Sequence, residues 1–125
     1  MLRMAPAKAG EISLDYHLTL EVMRSGVGDQ YHLGSMAQAT YMAMLLHQAG
    51  NGQARPGLFV EAEQAILRCR QHGIETGVWL VDEETYVLLG EILTLFDQQL
   101  AVVSLHELML ANGKLKKIFR STPAP

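Results

Sequence analysis

Between Glu11 and Val22 every even position carries an apolar or aromatic side chain and every odd position a polar one. Strict alternation is the period of a half-buried β-strand, and two local structures can accommodate it. One is a strand whose backbone N–H and C=O groups are paired by a neighbour. The other is a helix that is apolar on two sides. The strand has little to pair with, because the remaining strand-like run is GVWLVD at 77–82 and an isolated hairpin is marginal in water. The helix has a candidate cap in Ser13, a basic last turn at Arg24 and a stop at Gly26. At helical spacing, Ile12, Tyr16, Leu20 and Met23 form one stripe, and Leu14, Leu18 and Val22 form a second on roughly the other side. The helix is preferred, with the strand as the alternative. Its consequence is that one stripe faces the domain core and the other needs separate cover, such as a second copy of the chain.

Glycine-bearing breaks at 24–29, 49–57 and 72–77 separate further helical patterns. The second runs from an expected N-cap at Ser35 to a stop at Gly50 and is apolar almost all round, the pattern of a central helix. A third, about 58–72, is amphipathic: Phe59, Ala62, Ala65, Ile66 and Cys69 share a face, Glu61, Gln64, Arg68 and Gln71 point to solvent, and Gly73 ends it. The fourth opens on Asp82, with Glu83 and Glu84 in its first turn and Val81 placed to staple Tyr86. Its stripe of Tyr86, Leu89, Ile92, Leu93, Phe96 and Leu100 is widened by Leu88 and Leu95, which lie off the main face. Ser104 with Glu107 matches a capping box for a fifth helix, and a single helix over 83–111 is the competing reading.

These patterns predict an all-α fold, a four- or five-helix bundle that dimerises. A chain of 125 residues, 49% of them hydrophobic, can bury a core without disulfides or metal. The domain is expected over 11–120, with a flexible N-terminus at 1–10 and a flexible tail at 121–125. One cysteine and no signal-like apolar run at the N-terminus point to the cytoplasm. No apolar stretch approaches the roughly 20 residues of a membrane span, so membrane insertion is not expected.

Chemistry is sparse. Five histidines invite a metal, but His72 with Glu75 is the nearest approach to ligand spacing and it straddles a glycine. No c-type haem attachment is possible with one cysteine, and no cofactor is expected. Cys69 falls on an apolar stripe, as a buried and inert thiol would, and no nucleophile elbow or phosphate loop occurs. An enzyme is therefore not expected. The formal charge of -3 gives no global attraction to nucleic acid. Charge is nonetheless segregated: 72–110 holds acids and no Lys or Arg, after which come Lys114, Lys116, Lys117 and Arg120 with Phe119 among them. The pattern matches a helix dipole, or a phosphate-binding segment.

The expectation is a non-catalytic helical interaction or regulatory module that self-associates through Leu14, Leu18, Val22, Leu88 and Leu95, with an unknown protein partner also open. The first alternative is a DNA-associated transcriptional regulator using Lys114, Lys116, Lys117 and Arg120. The second is a metal- or small-ligand-binding helical bundle.

Overall fold

The computed structural model describes residues 2–121. It contains five helices and, among the described residues, no strand: α1 Pro6–Ser25, α2 Gln30–Gln48, α3 Leu58–Thr76, α4 Glu83–Val102 and α5 Leu105–Ser121. The alternating segment is thus helical. Its helix begins not at Ser13 but at Pro6, where the fixed φ of proline suits a first helical position, and it ends at Gly26 with φ +86. Residues 6–10, expected outside the domain, are therefore the start of α1. Upstream of them, the Leu105 amide donates to the Leu2 carbonyl at 2.9 Å and Arg3 bridges to Ser104. The tail expected at 121–125 begins at the last residue of α5, and 122–125 lie outside the described residues.

α2 also begins earlier than its sequence suggests. Asp29 is the cap: its carboxylate accepts from the Tyr31 and His32 amides while the His32 ring reaches back to the Asp29 amide. Here histidine closes a capping box that usually holds Glu or Gln, which is why Ser35 draws the eye first. Ser35 lies inside the helix with its hydroxyl donating to the Tyr31 carbonyl. α3 runs past Gly73 to Thr76, stopping at Gly77 with φ +75. Gly73 is not a terminator but a contact point, since a Cβ there would lie 2.3 Å from the Trp79 ring. The cap of α4 is at Asp82, which accepts from the Thr85 amide at 2.8 Å. α4 and α5 are separate because Val103 is extended (ψ 143), and the Ser104–Glu107 box starts α5.

α2 and α4 pack on each other; α1 and α3 each pack on both of them and not on one another, and α5 packs on α2. α1 and α3 therefore flank the α2–α4 pair from opposite sides. α2, apolar nearly all round, touches all four other helices, which accounts for its composition. Two core clusters result. One joins Leu46, Leu58, Ile92, Leu95, Phe96 and Leu100; the other joins Leu20, Met23, Met36, Ile66, Leu89 and Leu93. No helix among the described residues is long and apolar enough to cross a membrane.

Candidate interaction surfaces

α1 lies against α4 through polar contacts as well as core. His17 meets Asp97 at 2.9 Å, Tyr86 hydrogen-bonds Glu21, and the Arg24 guanidinium sits 4.1 Å from the Tyr86 ring centre while reaching Glu83 at 3.4 Å. These contacts fix the rotation of α1. Leu20 and Met23 are buried and Ile12 and Tyr16 half-buried, with the Tyr16 ring edge-on to Phe96 at 5.7 Å. The second stripe turns outward: Leu14 is 57% exposed and Leu18 54%, with Val22 half-buried.

Leu88 and Leu95, expected on the same free surface, are instead covered, at 9% and 5% exposure. α4 has neighbours on three sides, so its widened apolar face is divided between the two core clusters: Leu88 and Leu95 serve one, Leu89 and Leu93 the other. The α2–α3 connection also folds over Leu95, where a Cβ on Gly52 would come within 3.0 Å of its side chain. Buried Gln99 anchors that connection by donating to the Ala43 and Asn51 carbonyls.

A second apolar stripe lies on α3, and sequence reasoning passed over it. Val60, Leu67 and Ile74 are 61%, 55% and 53% exposed. Their spacing of seven residues was the available signal, hidden because the same side carries Gln64 and Gln71. Beside this stripe, Tyr41 O–H donates to Glu63 at 2.7 Å, and the tyrosine pKa is pushed up to about 12 by burial and then by that carboxylate. Arg55 bridges Glu61 at 2.6 Å and Glu91 at 2.9 Å, holding the Glu61 carboxyl below its usual range.

On α5, Ala111 and Leu115 face the core while Lys114, Lys116, Lys117 and Arg120 are exposed. Phe119 does not join them, since its ring packs edge-on against Tyr41 at 5.9 Å. Met109 and Leu110 are also outside.

The chemical candidates separate in space. Among the described residues no group of three His, Cys, Asp or Glu side chains is placed to hold a metal ion. Glu75 accepts from Gln71 at 2.7 Å, and His72 is exposed. Cys69 borders an open hollow of about 330 Å³ with Arg68, His72 and Asp82, but its thiol is directed at the Leu80 carbonyl. Burial, and secondarily Asp82, pushes its pKa up, so it stays a protonated thiol and a poor nucleophile. Comparison with protein-family models, with curated proteins and with solved structures gives no match to this chain.

Proposed function

We propose that this chain is a non-catalytic interaction module, a five-helix bundle that associates with a second copy of itself through an apolar helix face left outside its own core. The observation that carries the reading is an apolar stripe left more than half exposed on a helix whose other face is packed, as Leu14 and Leu18 are on α1 and Val60, Leu67 and Ile74 are on α3. Scattered exposed leucines need no explanation, whereas aligned ones form a patch that favours association. The α3 stripe repeats the arrangement on the opposite flank. Non-catalytic action is supported by what the titratable groups do: Asp29 and Asp82 cap helices, and Arg55 ties the α2–α3 connection to α3 and α4.

Light scattering during size-exclusion chromatography tests the reading. A mass of two chains that dissociates on dilution is expected, and a monomer at all concentrations overturns it. A second reading rests on the exposed bases of α5, which suit phosphate contacts without base readout. A gel-shift series at rising salt decides it: loss of retardation as salt increases is expected, and no retardation at low salt removes it.

A further inference from the structure

Two opposed apolar faces cannot both form a single two-fold contact, and the charges around them discriminate. In a paired α1 the seam would be Ala7, Glu11, Leu14, Leu18, Glu21 and Ser25. Run parallel, Glu11 meets its own copy and so does Glu21. Run antiparallel about the midpoint of Leu14 and Leu18, Glu11 meets Glu21. Either orientation sets acid beside acid at the contact. Among the described residues the only in-chain base on Glu11 is Lys8, exposed and at 3.4 Å, and Glu21 accepts from the neutral Tyr86 hydroxyl.

α3 has the opposite character. Val60, Leu67 and Ile74 alternate with Gln64 and Gln71 at coiled-coil spacing, a seam about 20 Å long. Paired in parallel and in register, each apolar side chain meets its own copy, and so does each glutamine amide, which can both donate and accept. The borders are complementary as well. In a parallel pair the side chain on one border lies across from the residue five positions on in the other chain. That rule sets Glu63 against Arg68, and Arg70 against Glu75. Glu61, which would have no cross-chain base, is already held by Arg55 within its own chain. Tyr41 donates to the Glu63 carboxyl at 2.7 Å and so orients it. Two heptads are too short to nucleate a helix pair from coil, but here the helix is already built into the fold.

We propose that α3 forms the self-association face, pairing parallel and in register with α3 of a second copy, with Val60, Leu67 and Ile74 in the seam and Glu63 beside the partner's Arg68. This rests on the self-association reading above and names its surface. The test uses the full chain and five variants, Leu18→Glu being the control on α1. Leu67→Glu, Glu63→Arg and Arg68→Glu are each expected to weaken the dimer at least about tenfold by concentration-dependent light scattering, since like charges across a contact repel. Mixing Glu63→Arg with Arg68→Glu is expected to restore dimers, a rescue that a folding defect would not give. Gln64→Cys is expected to form a disulfide-linked dimer under mild oxidation, because the parallel register sets position 64 against its own copy, whereas an antiparallel pair that keeps Val60 opposite Ile74 does not. A wild-type monomer overturns this inference together with the reading beneath it. A dimer that resists Leu67→Glu but dissociates with Leu18→Glu overturns the α3 assignment alone, as does failure of the mixed pair to reassociate. Absence of the Gln64→Cys cross-link in a dimer that depends on Leu67 overturns the parallel register.

Discussion

Gly73 shows how tertiary contact reverses the ordinary effect of a residue. In an isolated helix, alanine is favoured over glycine by about 1 kcal/mol. At position 73 the added methyl would meet the Trp79 ring at 2.3 Å, and overpacking costs about 1–3 kcal/mol. Gly73→Ala is therefore expected to destabilise in urea titration. Gly113→Ala, in a helix with nothing within 4 Å of the new methyl, is expected to stabilise by about 0.5–1 kcal/mol. Equal effects at the two sites would remove the role assigned to Trp79. The sequence shows a glycine within a helical pattern in both cases; it does not show which one a tryptophan lies against.

At the scale of elements, the helix starts carry most of the local instruction. Asp82 and the Ser104–Glu107 pair were readable because their side chains act within three residues of the amides they cap. Asp29 escaped notice because its reciprocal partner is a histidine. Ser104→Ala is expected to cost about 1 kcal/mol and to speed amide exchange in the first turn of α5; unchanged exchange there would dismiss the box as the start of that helix. The caps also predict acid sensitivity. Asp29 is held below the ordinary carboxylate range by the His32 side chain first, Asp82 by the Thr85 amide, and Glu107 by Asn51. A carboxylate whose pKa is lower folded than unfolded contributes stability above its unfolded value, and that contribution is lost as pH falls through the folded value. The Tm followed by circular dichroism is thus expected to fall below about pH 4, and Asp82→Ala to shallow that fall. An identical pH slope in the variant would contradict the capping assignment.

For the whole molecule, the question is which apolar faces the fold conceals. Leu95→Ala is expected to cost about 2–5 kcal/mol, as truncations in a packed core do. Leu18→Ala is expected to stay within about 0.5 kcal/mol for the monomer, as at other surface positions; chemical denaturation of both variants checks the contrast. Comparable losses would mean that the outer stripe of α1 is not free. By itself the sequence determined the helical class, the end of α1 at Gly26, two starting caps and the two-sided character of α1. Each of these depends on side chains and amides within about one turn of one another. Only the tertiary structure decided that Leu88 and Leu95 lie inside, that Leu14 and Leu18 lie outside, and that α3 carries a second free stripe. Hydrophobic burial has no direction of its own, so a helix apolar on two sides fits a crowded centre or an open flank equally well. The number of neighbours around each helix settles that choice: three for α4, and two for α1 and for α3.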